Sequence, residues 1–85
     1  MRIDKYLKNA RLIKRRTIAK EACDQGRITV DGKEAKPGTE VAIGNLIAIR
    51  FGNKVMTVRI TGLEEHVTKE SSKLLYEIVS EVEQA

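Results

Sequence analysis

Apolar residues at Ile3, Tyr6, Leu7 and Ala10 recur at i, i+3, i+4 and i+7, the stripe of a short amphipathic helix. Arg2, Lys5 and Asn9 flank the stripe on one side and Asp4, Lys8 and Arg11 on the other, with Asp4 and Lys8 spaced to pair. A second helix is expected from about Arg16 to Gln25, turning Ala19, Ala22 and Cys23 inward with Ile18 beside them. Gly26 is placed to end it in the left-handed conformation. The period then falls to two. "RITV" reads as a strand, Asp31–Gly32 as a tight hairpin turn, "KEA" as the return strand and Pro37–Gly38 as a loop. "VAIGNLIAIRF" predicts two short strands around Gly44–Asn45, and Gly52–Asn53 a turn into a further strand, "KVMTVRITGL". There Val55, Thr57 and Arg59 face away from Met56, Val58 and Ile60. From about Lys69, Leu74, Leu75, Ile78 and Val82 fall at i, i+1, i+4 and i+8, which predicts a third helix packing these residues into the core. Glu70, Glu77, Glu81 and Glu83 would lie on its solvated side. Helix, helix, strands, helix is an α+β order.

Length limits what this fold can do. Eighty-five residues with 41% apolar content make one small domain, 1–85, with a modest core and little material for a deep catalytic cleft. Cys23 is the only cysteine, which rules out an intrachain disulfide, and its place on the apolar face suits a small buried hydrophobe. His66 is the only histidine and lies in the polar junction "EEHVTK", where a surface position is expected; a zinc site needs more ligands than the chain has. Glu64 and Glu65 read as solvated charges. There is no phosphate-binding glycine loop and no acid–base or nucleophilic constellation, so the expectation is a protein that is not an enzyme and takes no cofactor and no metal. No apolar run approaches the length of a membrane span, and the early charges leave no secretory signal; a monomer in the cytoplasm is expected.

Charge distribution changes the picture more than net charge does. The total is +4, but residues 1–20 carry eight Lys or Arg against the single acid Asp4, while residues 63–85 carry two Lys against six Glu. "RLIKRRTIAK" holds five cations in ten residues and no acid. A solvated face is the plainest account of such a run. Against it stand the missing counter-charges, the heavy use of arginine, whose planar fork suits phosphate, and the position of the run across the start of the second helix. Lys14, Arg15, Arg16 and the Thr17 hydroxyl would reinforce the donors there. These features point to nucleic acid. A helix-turn-helix reading DNA is the rival, weakened by Glu21 and Asp24 on the exposed face of the second helix. With only Tyr6, Phe51 and Tyr76 as aromatics a base-stacking platform is unsupported, which leaves folded RNA read through its phosphates. A third reading makes the acidic C-terminal segment, Lys69 to Val82, a docking element for a protein.

"RIDKYL", then "RLIKRRTIAKEACDQGRITVDGK", then "KPGTEV" resembles the S4 RNA-binding domain, whose pattern is R-L-D-K-x-L, a second helix ending in Q-G, and a V-x-V-N-G-K hairpin. The resemblance covers about residues 2–50 with spacing intact, leaving a further strand and helix over about 55–83. It implies the S4 (alpha-L) fold, two short helices on a small, mainly antiparallel sheet, with RNA held by the helix pair and the nearby loop. Carried over by position, the RNA-facing residues are Arg2, Lys5, Arg11, Lys14, Arg15, Arg16, Thr17 and Lys20. Arg15 departs from the pattern, since many S4 domains place a small N-cap such as Ser there. The absence of a catalytic domain and the "RLIKRRT" segment narrow the resemblance to the stand-alone S4 proteins of bacterial ribosome-associated quality control, the RqcP family, with the ribosome-associated heat-shock S4 proteins close behind. What that implies is binding to a stalled 50S ribosomal subunit carrying peptidyl-tRNA. The contacts implied are 23S rRNA at helix 69 and the P-site tRNA, in support of alanine tailing by the partner RqcH. Arg2 and Arg16 are the first choices for rRNA contact. Asp4 is either an acid that orients a neighbouring Arg or Lys, or a helix-surface acid near a positive N-terminus; sequence leaves both open.

Overall fold

The computed structural model describes residues 1–83; the last two positions of the domain expected over 1–85 lie outside the described residues. Helix α1 runs over Ile3–Asn9 and helix α2 over Arg16–Asp24. Strands β1 (Ile28–Val30), β2 (Lys33–Glu34), β3 (Leu46–Phe51), β4 (Lys54–Ile60) and β5 (Tyr76–Glu83) follow, with a short 3-10 turn over Ser71–Leu75 before β5. All neighbours in the sheet are antiparallel, in the order β2-β1-β3-β4-β5.

The two helices form where the 3.6-residue stripe placed them. Ile3, Tyr6, Leu7 and Ala10 from α1 and Ala19 and Cys23 from α2 are buried, and the small α2 residues bring the two helices together. Ala22 is only partly buried and Ile18 is exposed. Burial pushes the Cys23 thiol up to about 11, with the charges of Asp4 and Asp24 adding to the effect, so it stays a protonated, inert packing group. Gly26 ends α2 at φ +70, as its position in the sequence requires. The Asp31–Gly32 turn has φ +50 and +85, the pair of positive values a two-residue hairpin of this twist needs.

Alternation then builds one apolar sheet face. Ile28 faces Ile49, Ile47 faces Val58, and all four are buried with Ile60 under the helices. Tyr6 crosses this core, and its hydroxyl donates to the Leu75 carbonyl at 2.7 Å. Its phenol titrates well above the ordinary range, because burial disfavours the charged form and Tyr76 lies nearby. Tyr6→Phe is expected to lower stability by about 1 kcal/mol in urea unfolding. The loss stays that small because Leu75 O also accepts the Thr61 and Gly62 N–H groups.

Two expected elements take another form. Residues 41–45 make no strand: Asn45 Oδ1 accepts the Ala42 N–H at 2.7 Å and the Asn45 N–H donates to Ala42 O, a tight turn in which Gly44 has φ +96. Only Leu46–Phe51 of that stretch is extended. The larger correction is the C-terminal helix, which is instead strand β5. Residues Ile78, Val79 and Val82 are β-branched, and in "YEIVSEVE" apolar and acidic residues interleave closely enough to serve either period. The open edge of β4 decides between them by pairing with Tyr76–Glu83, through a bulge opposite Thr57/Val58. Of the four residues expected in the core only Leu75 is buried; Leu74, Ile78 and Val82 are 74%, 55% and 55% exposed. Glu77, Glu81 and Glu83 sit on this edge strand, where charge discourages pairing with other chains, and Glu77 pairs with Arg59 at 2.7 Å.

Candidate nucleic-acid interface

Asp4 lies in the first turn of α1 and is completely inaccessible, covered by the side chains of Arg2 and Arg16. Its Oδ1 accepts the Lys5 backbone N–H at 2.8 Å and lies 3.4 Å from Arg2 Nε and from an Arg16 terminal nitrogen. Oδ2 lies 3.3 Å from Arg16 Nε, an attraction of charge without a well-aligned hydrogen bond. Burial alone would raise the Asp4 carboxyl; the Arg16 hydrogen bond, the Lys5 N–H and the charges of Arg16 and Arg2 outweigh it and hold the group below the usual carboxylate range. Asp4 is therefore ionised and hidden. The surface-acid alternative is excluded by its burial, and the expected Asp4–Lys8 pair is replaced by pairing with the two arginines. Both guanidiniums remain about half exposed, with side chains 48% and 42% accessible.

The Arg2 end is fixed from the other side. Arg2 bridges in antiparallel fashion to Glu40, the Ile3 N–H donates to Thr39 O at 2.8 Å, and the Arg2 guanidinium passes over Gly38 in the "KPGTE" loop. Thus the loop after β2, the start of α1 and the start of α2 converge on one carboxylate. The result is a pair of partly immobilised guanidiniums whose remaining donors face solvent, an arrangement suited to phosphate oxygens.

The remaining expected residues divide. Lys5 is drawn aside, pairing with Glu65 at 2.9 Å. Arg11 and Lys14 line a groove with Lys8 and with His66 from the β4–β5 connection. Arg15, Thr17 and Lys20 are exposed along α2 and, among the described residues, make no side-chain hydrogen bond or ion pair; the Arg15 side chain does not cap the helix. Lys8 is an addition, expected from the sequence only as a partner for Asp4 and found instead along the groove with Arg11.

Arg11 carries a further signal. It follows α1 with φ +58, a left-handed position that glycine fills without strain and a β-carbon does not. Arg11→Gly is expected to raise the unfolding free energy by about 1 kcal/mol while weakening RNA binding; a thermal melt and a binding titration on one preparation check both signs.

The family model described as "S4 domain" matches residues 1–47, the segment that holds the Arg2–Asp4–Arg16 cluster. A Halalkalibacterium halodurans protein described as "RQC P-site tRNA stabilizing factor" is 58% identical over 81 residues, which cover 95% of this chain and 92% of that protein. A Listeria monocytogenes protein of the same description is 54% identical over 81 residues, covering 95% and 88%. Among solved structures, trimeric Vibrio cholerae heat shock protein 15 superposes with a TM-score of 0.86 at 30% identity, over 94% of this chain and 82% of that one.

Proposed function

Because the chain belongs to the S4 domain family, and within it to the family of the RQC P-site tRNA stabilizing factors, we propose that it is a non-catalytic RNA-binding component of bacterial ribosome-associated quality control. It binds stalled 50S subunits that carry peptidyl-tRNA, touching 23S rRNA near helix 69 and the P-site tRNA, and so supports alanine tailing by RqcH. The site of action is the cytoplasm. Its contribution is placement: it holds a tRNA in the P site while another factor delivers the next one.

The observation that carries this reading is the pair of half-exposed guanidiniums fixed on the buried Asp4. A pair of planar donors partly immobilised on one carboxylate discriminates between phosphate arrangements better than flexible lysines do, and so suits a folded RNA surface. Arg2 and Arg16 are the principal contacts in this account. Arg11, Lys14, Arg15 and Lys20 supply the surrounding positive field, Thr17 offers a hydroxyl beside them, and Lys5 acts mainly by fixing Glu65.

The likeness to heat shock protein 15 supports a second reading, recycling of free 50S subunits that hold a nascent chain. One experiment separates the two from each other and from a small DNA-binding regulator. The full chain is sedimented with 30S, 50S and peptidyl-tRNA-bearing 50S particles, with duplex DNA as competitor, and alanine incorporation is then measured in a reconstituted system with RqcH. The proposal expects retention on peptidyl-tRNA-bearing 50S, no displacement by DNA, and tailing that depends on the protein. Retention without any effect on tailing favours the recycling role, and displacement by DNA removes both.

A further inference from the structure

The connection between β4 and β5 lies beyond the matched S4 segment, yet it closes one side of a groove of about 570 Å³ against α1 and the α1–α2 loop. That is within the size range of small-ligand sites. One wall carries Lys8, Arg11 and Lys14; Ile13, almost fully buried, and Val67, half-buried, supply apolar surface; His66 stands among the residues of the opposite wall. The only acid along the groove, Glu65, is engaged by Lys5 at 2.9 Å, which leaves the groove's field positive. The walls are also tied together. Asn9 Nδ2 donates to Glu65 O at 3.3 Å, and Thr68 and Ser71 hold the turn by reciprocal backbone-to-hydroxyl bonds of 2.8 and 3.1 Å.

Cations on one wall, apolar surface between, and an imidazole opposite form the chemistry of a nucleotide site: phosphate against Lys8, Arg11 and Lys14, base against Ile13, Val67 and the His66 ring. We infer that this groove receives one unstacked nucleotide of the RNA that the Arg2–Asp4–Arg16 cluster binds. The two sites lie at opposite ends of α1, a helix of seven residues and so about 10 Å long. A strand crossing the arginines can therefore deliver a nearby nucleotide into the groove. The inference rests on the RNA-binding reading and adds to it a base subsite whose second wall, from the β4–β5 connection, lies outside the matched S4 segment. It also gives a use to the strained backbone that sets Arg11 at the rim.

Two arms test it on the full chain. In the first, 5′-uridine monophosphate and inorganic phosphate are titrated separately at equal ionic strength, with the His66 ring and Val67 methyl resonances as readout. The nucleotide is expected to shift both and inorganic phosphate neither; equal responses to the two would reduce the groove to an anion site and overturn the inference. In the second, His66→Ala is expected to weaken binding to 50S particles about fivefold, the smaller end of what a stacked base supplies, with the salt dependence unchanged. His66→Phe, which keeps a ring and cannot carry charge, is expected to restore it. Wild-type affinity in His66→Ala, or no rescue by phenylalanine, overturns base stacking here. The mononucleotide titration needs no ribosome, so a chain that fails to bind any ribosomal particle brings down the proposed function while the first arm still decides the groove.

Discussion

Asp4→Asn raises the net charge by one from +4 and nevertheless weakens binding to 50S particles, by about tenfold at fixed ionic strength. Charge counting alone gives the opposite sign, since the variant removes the only acid among the first twenty residues of a polyanion-binding protein. A loss is expected because Asp4 is buried and pairs with Arg2 and Arg16, holding both in place. Without the carboxylate each guanidinium must be ordered on binding, at about 0.5–1.5 kcal/mol apiece, and about 0.7 kcal/mol from each of the two gives the tenfold loss. Folding should respond as well. The Asp4 carboxyl is held below its ordinary value of 3.8, so its stabilisation is fully present above that value and is lost as pH falls through the depressed one. Wild-type protein therefore loses this contribution on acidification, and Asp4→Asn shows a flatter acid limb in pH-dependent unfolding. Tighter binding by Asp4→Asn would mean that the arginines need no scaffold.

Removing both arginines gives the larger effect, provided the protein is left able to fold. Arg2→Ala/Arg16→Ala uncovers the carboxylate that these two side chains shield and takes away both of its cations, so folding and binding change together. Lost binding in that variant would say little about the interface. Arg2→Ala/Asp4→Asn/Arg16→Ala removes the carboxylate's charge together with its partners, and asparagine can still accept the Lys5 N–H that now bonds Asp4. This triple variant is expected to melt cooperatively and to lose about a hundredfold in affinity, if each charge-assisted contact supplies about 1.5 kcal/mol. The slope of log K against log salt should shrink by about 1.4 to 1.8, that is 0.7 to 0.9 for each phosphate contact given up. A fully folded triple variant with the wild-type slope would place the phosphate contacts elsewhere.

Local periodicity made much of the fold legible. The α1 stripe, the Gly26 stop, the Asp31–Gly32 turn and the inward Val58 and Ile60 each depend on residues within a turn or two of one another, and each is present. Strand β5 depends on something distant. Its apolar spacing fits a helix or an edge strand, and only the unpaired side of β4, some twenty residues earlier, selects the strand. The binding surface divides in the same way. That the first two helices carry clustered, unbalanced positive charge could be read from composition and motif. That Asp4 is the hidden support of two of those charges could not, because its burial needs Arg16, twelve residues on, folded over it. The groove is harder still to foresee, since Lys8 and His66 meet only after the whole sheet is built between them.

The most direct test of the account is co-sedimentation of wild-type protein and the Arg2→Ala/Asp4→Asn/Arg16→Ala variant with 50S particles bearing peptidyl-tRNA, each first shown to be folded by its melting curve. The account predicts wild-type protein in the 50S fraction and the folded variant left in the supernatant. A folded variant that sediments with 50S as the wild type does would contradict it.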